Sequence, residues 1–310
     1  MSLTIAIPTY NRNMKLLAQL KRIEQQDCKF LQEILIIDNG SDDPIKATID
    51  GALSACFRSK IKVVENGHNI GMSVNLVLPF LYAENEWLWL LSDDDEILET
   101  SLATIQKDIK TSDTIGMIKY PLSDRASSVM LSCYREFVEH CENEISITPG
   151  ELVFYSNCVY KMKAVKNYIG CGFENANTYI GFMYPAFEML NSTSESLLYS
   201  ASPIVKYVPP EDDGYSYVRV ALALTRVWDY ELGSQNDLKK RFTLLFQSIT
   251  SRRLLFNILI KESSVDAKTV VYLFYKVFRF QPLDPLPLAG LLLSNIKIFR
   301  SAIKHLKGLN

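Results

Sequence analysis

Three adjacent aspartates, Asp93-Asp94-Asp95, follow the apolar run Trp87-Leu88-Trp89-Leu90-Leu91. Neighbouring carboxylates repel one another, so holding three together calls for a positive partner. A hard divalent cation that bridges carboxylate and phosphate oxygens supplies one. Mg²⁺ or Mn²⁺ held this way stabilises a departing nucleoside diphosphate. The same residues also suit the start of a helix from Glu99 or Ser101, because Asp is favoured at caps and in the first turn. On these residues alone both readings stay open.

Three further polar clusters carry chemistry. Asp38-Asn39-Gly40-Ser41-Asp42-Asp43 closes an apolar stretch. A carboxylate at such a place accepts hydrogen bonds from a ribose or a base edge, although the composition is also that of an ordinary turn. Pro8-Thr9-Tyr10-Asn11-Arg12 offers a ring and polar groups to a nucleotide, or simply a loop and a helix cap. In Asn69-Ile70-Gly71-Met72-Ser73-Val74-Asn75 the glycine lets backbone approach a ligand, and Asn75 falls one turn into the next helix.

These clusters need elements to position them. Leu3 to Ile7, Glu33 to Ile37, Ile61 to Val64 and Trp87 to Leu91 read as buried strands. Residues 13–26, with Leu16, Leu17, Leu20 and Ile23 on one face, read as a helix; helical patterns follow at 45–57 and 76–83. Strand and helix alternate, which favours a mostly parallel, doubly wound α/β sheet flanked by helices. The clusters follow the first, second and fourth strands, and ligands of open α/β sheets bind at the carboxyl ends of strands. Beyond Thr100 the pattern loosens. A helix is expected at 101–109, strands at 115–120 and 152–160, and helices from Tyr217 onward. The division is a domain of 1–215 and a helical C-terminal region of 216–310.

The chain has 310 residues, a net charge of −2 and nearly half apolar residues. That allows a sizeable core and excludes a global basic field for nucleic acid. Its six cysteines form no C-x-x-C pair, and its three histidines are scattered, so neither set reads as a zinc site. Met1 to Pro8 lacks the basic start and apolar stretch of a signal peptide. No uncharged run approaches the ~20 residues that span a bilayer. A cytoplasmic location is expected.

Taken in order, the four clusters resemble the motifs of glycosyltransferase family 2, a large group with a GT-A fold. Pro8-Thr9-Tyr10-Asn11-Arg12 is similar to its opening motif and Ile36-Ile37-Asp38-Asn39-Gly40-Ser41-Asp42-Asp43 to its second. Asn69-Ile70-Gly71, with Asn75, is similar to its third, and Leu90-Leu91-Ser92-Asp93-Asp94-Asp95 to its metal motif. The resemblance spans roughly residues 3 to 105. It implies an enzyme that transfers one sugar from a nucleotide-diphospho-sugar to a saccharide acceptor, with inversion and a divalent metal, Mn²⁺ or Mg²⁺. It also implies roles. Pro8, Tyr10 and Asp38 would line the base and ribose, with Arg12 and Asn39 in the same donor loops. Asn69, Gly71 and Asn75 would floor the ribose and diphosphate. Ser92 takes the first position of the family's Asp-x-Asp-Asp form and Asp94 the second; the other register pairs Asp93 with Asp95. Asp94 is the favoured metal ligand, with Asp95 beside it and Asp93 near the ribose.

A narrower likeness, in Ser92-Asp93-Asp94-Asp95 and Pro209-Pro210-Glu211, is to abequosyltransferase-like enzymes of O-antigen and other surface-polysaccharide assembly. Lipid-linked acceptors are common there. An inverting transferase needs a carboxylate to take the acceptor's proton. Cys171-Gly172-Phe173-Glu174 is similar to the family segment upstream of its catalytic Glu-Asp pair, but the pair itself has no match. Glu188 is the first choice for the base, then Asp212, then Glu174. Thr225-Arg226-Val227-Trp228 only approximates the motif of processive synthases, which argues for single transfer.

Residues 288–310 hold Lys297, Arg300, Lys304, His305 and Lys307 and no acid. Such a basic amphipathic helix lies on an anionic membrane surface, or packs on the protein with its basic face in water. Two other functions compete. A nucleotidyltransferase would show a Gly-rich basic loop where Pro8-Thr9-Tyr10 stands. A non-catalytic nucleotide-sugar-binding or scaffold protein would keep the fold and lose the base.

Overall fold

A computed structural model of the chain describes residues 1–26, 29–144, 147, 149–208, 223 and 226–229. The chain divides into two units, Met1–Pro210 and Glu211–Asn310. The expected base Asp212, the Pro209-Pro210-Glu211 segment and the tail 288–310 lie outside the described residues.

The first unit contains strands β1 (Leu3–Thr9), β2 (Leu31–Asp38), β3 (Ile61–Glu65), β4 (Trp87–Leu90), β5 (Glu96–Ile97), β6 (Ile115–Lys119), β7 (Val129–Leu131), β8 (Cys158–Lys161), β9 (Ser196–Tyr199) and β10 (Val205–Lys206). Its helices are α1 (Asn13–Glu24), α2 (Ile45–Ile49), α3 (Ala55–Arg58), α4 (Met72–Asn75), α5 (Pro79–Tyr82), α6 (Ser101–Ile109), α7 (Tyr134–Asn143), α8 (Pro149–Val153), α9 (Met162–Val165), α10 (Ile169–Glu174) and α11 (Tyr184–Ser192).

Eight strands form one sheet in the order β3-β2-β1-β4-β8-β6-β9-β7, and β5 pairs with β10 in a small antiparallel ribbon. The first four strands of the sheet are mutually parallel. β8 then runs antiparallel between β4 and β6. The α/β sheet flanked by helices is as expected, with β8 and β7 adding antiparallel pairings to the parallel set. β1 and β4 are buried at every residue, as parallel strands covered on both faces must be. Each such Leu or Ile contributes roughly 1.5–3 kcal/mol on burial. A surface ion pair such as Lys62–Glu84 contributes roughly 0–1 kcal/mol. The core therefore fixes the sheet, and its loops inherit their positions.

β1 is longer than its apolar run suggests and includes Pro8. Its pairing with β4 ends at Ala6–Leu90, so the proline, which has no N–H, sits where the strand has one neighbour. The continuous helix expected over 45–57 is two short ones, because Asp50 is extended and Gly51 takes φ 76°. The strand expected from 152 begins only at Cys158: Pro149 opens helix α8, which carries the chain to Val153. On β6, Gly116 lets α11 lie against the sheet, since a Cβ there would meet Met189 Sδ at 2.2 Å.

Candidate functional site

The carboxyl ends of β1, β2 and β4 meet through side chains distant in sequence. Thr9, the last residue of β1, donates its hydroxyl to Asp93 Oδ2 at 2.6 Å and accepts the Asn39 N–H at its carbonyl. Arg12, three residues on, places Nη1 at 3.1 Å from Asp93 Oδ1 and 2.7 Å from Asp94 Oδ2. Ser92 Oγ donates to the other oxygen of Asp94. Asp93 and Asp95 are buried, whereas Asp94 keeps 18% of its side chain exposed. Asp95 turns to Ser156, whose hydroxyl donates to it and accepts the Ser92 N–H at 2.9 Å. Burial raises Asp93, against the lowering pull of Thr9 and Arg12, and pushes Asp95 up to about 7, against the Ser156 hydrogen bond.

The aspartate loop is held from below by α1. Gln19 is fully buried, and its Nε2 donates to the carbonyls of Ser92 at 3.0 Å and Asp95 at 2.6 Å. Seven residues on, just beyond the end of α1, Gln26 donates to the Leu98 carbonyl and accepts the Leu102 N–H. Gln19 stands on the face that Leu16, Leu20 and Ile23 bury, so a polar residue on an apolar stripe was the signal for it.

The second and third clusters interlock. Asp38 Oδ1 accepts from both the N–H and the hydroxyl of Ser41, while Oδ2 takes part in no hydrogen bond among the described residues. Asn11, at φ 53°, bonds Ser41 and Asp42 and so ties the first motif to the second. Asn39 donates to Asn69, Asn66 donates to Asn39 and Asn75, and Asn75 donates to the Ile37 carbonyl. Asn69 Oδ1 also accepts the Gly71 N–H at 2.8 Å. The amides of Asn39, Asn69 and Asn75 are thus engaged in shaping the loops. Asn66, absent from the sequence-derived set, is part of the same mesh. Gly40 is required twice: its φ is 79°, and a Cβ would lie 2.7 Å from the His68 carbonyl carbon. Gly71 has φ 90° with open space around it. Tyr10 is 41% exposed, and Pro8 is buried in β1.

The structure brings together Arg12, Asp93 and Asp94, and separately joins Asp38, Asn39, Asn69, Gly71 and Asn75. Glu174 and Glu188 sit on other elements, α10 and α11. Both lie beside Cys171, whose thiol is pushed up to about 12, first by burial and then by these two carboxylates. Glu188 also acts on Tyr134 of α7. Nearby, Tyr184 of α11 is fully buried, and Tyr179 is half-buried with φ 64°.

The sequence of the Campylobacter jejuni GalNAc(5)-diNAcBac-PP-undecaprenol beta-1,3-glucosyltransferase is 31% identical over 105 residues, 34% of this chain and 33% of that protein. Abequosyltransferase RfbV of Salmonella typhimurium is 32% identical over 107 residues, 34% of this chain and 32% of that protein. The matches thus span about a third of each curated relative's length. Among solved structures, S. aureus TarS 1-349 superposes with a TM-score of 0.61 at 14% identity, covering 99% of this chain and 92% of that one. The mannosyltransferase PcManGT from Pyrobaculum calidifontis, in complex with GDP-Man and Mn²⁺, gives 0.53 at 17% identity, covering 98% and 86%. These two likenesses concern the fold. The sequence model of glycosyl transferase family 2 matches residues 4–162, just over half of the 310-residue chain. That span carries all four motifs and the strands that end in them, and the chain belongs to glycosyl transferase family 2.

Proposed function

We propose that this chain transfers a single sugar from a nucleotide-diphospho-sugar to a saccharide acceptor, with inversion, in the assembly of a bacterial surface polysaccharide. The observation that carries the reading is the junction of the β1 and β4 loops, where Thr9 and Arg12 meet Asp93 and Asp94 at the carboxyl ends of parallel strands. Tyr10 offers an exposed ring to the base, and Asp38 Oδ2 faces the ribose or base edge. The relatives support the wider reading: one is named for glucosyl transfer to an undecaprenol-linked acceptor, the other for transfer of abequose. A lipid-linked acceptor and peripheral contact of residues 288–310 with the inner membrane follow from that reading. No helix among the described residues is long and apolar enough to cross a membrane.

The residues fit a divalent cation. One guanidinium nitrogen already bridges Asp93 and Asp94, so their facing oxygens accept positive charge together. Among the described residues no three His, Cys, Asp or Glu surround a common metal position. Mg²⁺ and Mn²⁺ do not require that, since one or two carboxylates plus substrate phosphates and water suffice. Asp94, with its more exposed carboxylate, is the principal ligand; Asp95, turned to Ser156, is the weaker choice. When bound, the ion offsets charge on the departing diphosphate. Glu188, Asp212 and Glu174, in that order, are the carboxylates proposed to take the acceptor's proton.

A second reading, a nucleotide-sugar-binding protein without transfer, rests on one observation. Between Gly172 and Met183 the only acid is Glu174. The test is thermal denaturation with UDP, CDP, GDP and dTDP, each with and without Mn²⁺, followed by donor turnover with the nucleotide that binds. A ligand that binds only the native state raises its melting temperature. Metal-dependent stabilisation by one nucleotide supports a donor site, and turnover decides between enzyme and binding protein. No stabilisation by any of them overturns both readings.

A further inference from the structure

Asp93 and Asp94 are held in the same way. Each gives one carboxylate oxygen to a hydroxyl, from Thr9 and Ser92 respectively, and presents the other to Arg12 Nη1. The hydroxyls aim the two free oxygens at one point, and a single cationic nitrogen sits there. The Arg12 backbone is anchored, because its carbonyl accepts the Leu16 N–H at 2.9 Å as α1 begins. Its side chain is 38% exposed, so the guanidinium can leave without exposing core. A guanidinium stays protonated at any working pH, so it does not leave by losing its own charge; another cation at the aspartates or an anion at the guanidinium displaces it.

We propose that Arg12 is a tethered counter-cation. It lies between Asp93 and Asp94, where a divalent ion would bind, and moves to the donor diphosphate when the ion enters. The inference rests on the donor-site reading above and adds a rule of loading. Metal binds poorly to the nucleotide-free protein because an internal cation already fills its place. It binds well with the diphosphate, because that anion gives the displaced guanidinium a new partner with which it can pair through two N–H groups. Arg12 is therefore a positioning residue for the metal motif before loading and a phosphate ligand afterwards.

The test uses the full chain and counts free Mn²⁺ by electron paramagnetic resonance, without nucleotide. Arg12→Gln should bind Mn²⁺ at least about tenfold more tightly than wild type, because it removes the charge-assisted hydrogen bonds of Nη1 to both Asp93 and Asp94. Guanidinium chloride at millimolar concentration should weaken Mn²⁺ binding to this variant, and tetramethylammonium should not. Arg12→Lys keeps a positive charge beside buried Asp93, which protects folding, and should fall between the two. Mn²⁺ affinity unchanged or lowered in both variants overturns the proposal. If wild type still binds a nucleoside diphosphate with Mn²⁺ in that case, the donor-site reading survives and only the role of Arg12 falls. If no diphosphate binds wild type under any condition, the donor-site reading has failed instead.

Discussion

Gln19→Leu tests whether the aspartate loop is positioned from inside the core. The side chain is fully buried, and its Nε2 is the donor to the carbonyls of both Ser92 and Asp95. Leucine fills nearly the same volume and removes both bonds. A buried polar group left without a partner costs roughly 1–3 kcal/mol. Two carbonyls lose their donor, but the Gln19 Oε1 atom is itself buried without a partner, and its removal offsets part of the loss. The net cost is about 2 kcal/mol, which for a unit of this size lowers Tm by roughly 4–8 °C. Asp94 lies between the two released carbonyls, so binding of the metal–nucleotide pair should also weaken, by about tenfold. Gln19→Glu sharpens the test by replacing the donor with a second set of acceptors. Facing two carbonyls in the core, that carboxylate has a folded pKa above its unfolded value of about 4.3. Its extra penalty is therefore full at neutral pH and shrinks as pH falls through the folded value, where the acid regains a proton to donate. Thermal denaturation by circular dichroism and nucleotide calorimetry read both effects. If Gln19→Leu melts within about 1 °C of wild type and binds nucleotide equally well, the pinning argument is wrong.

Asp94→Ala should abolish Mn²⁺-dependent nucleotide binding while moving Tm little, because the side chain is partly exposed; unchanged binding by calorimetry would remove Asp94 from the metal site. Tyr10→Ala should weaken nucleotide binding about tenfold or more, the worth of one stacked base, without lowering Tm; an equal loss of both would show that the ring packs rather than stacks. Burial, reinforced by Arg125, lowers the pKa of His140 in the fold. Below its unfolded pKa of about 6.5 the unfolded chain therefore takes a proton that the native state resists, and stability declines as pH falls. His140→Phe should flatten that part of the Tm–pH curve, and parallel curves for variant and wild type would refute it. Removing residues 288–310 should shift the protein from membrane to soluble fractions; identical partitioning would deny the tail any anchoring role.

Much of this was legible in the chain itself. Continuous apolar runs at Leu3, Glu33 and Trp87 specified buried parallel strands, because a strand covered on both faces has no reason to alternate. Motif residues placed just after those runs had to gather at one end of the sheet, since parallel strands share a direction. Sequence order alone therefore brought Tyr10, Asp38, Asn69 and Asp94 to one edge. The resemblance of those clusters to the family's motifs then implied a base, a ribose and a metal-bound diphosphate.

The partners of those residues were decided only by tertiary structure. Asn39 and Asn69, both expected in the donor site, hydrogen-bond to each other through their side-chain amides. Asp95, expected beside Asp94 in the metal motif, accepts a hydrogen bond from Ser156, 61 positions later. Ser156 reaches that place because β8 runs antiparallel into the middle of the sheet, between β4 and β6, and no local periodicity encodes that insertion. Arg12 and Gln19 meet the aspartate loop across 73 to 82 residues of chain. Hydrophobic patterning is a property of neighbours a few residues apart and fixes which face of an element is buried. Which buried donor meets which acceptor depends on how the packed elements are spaced, and that spacing is settled only when the core closes.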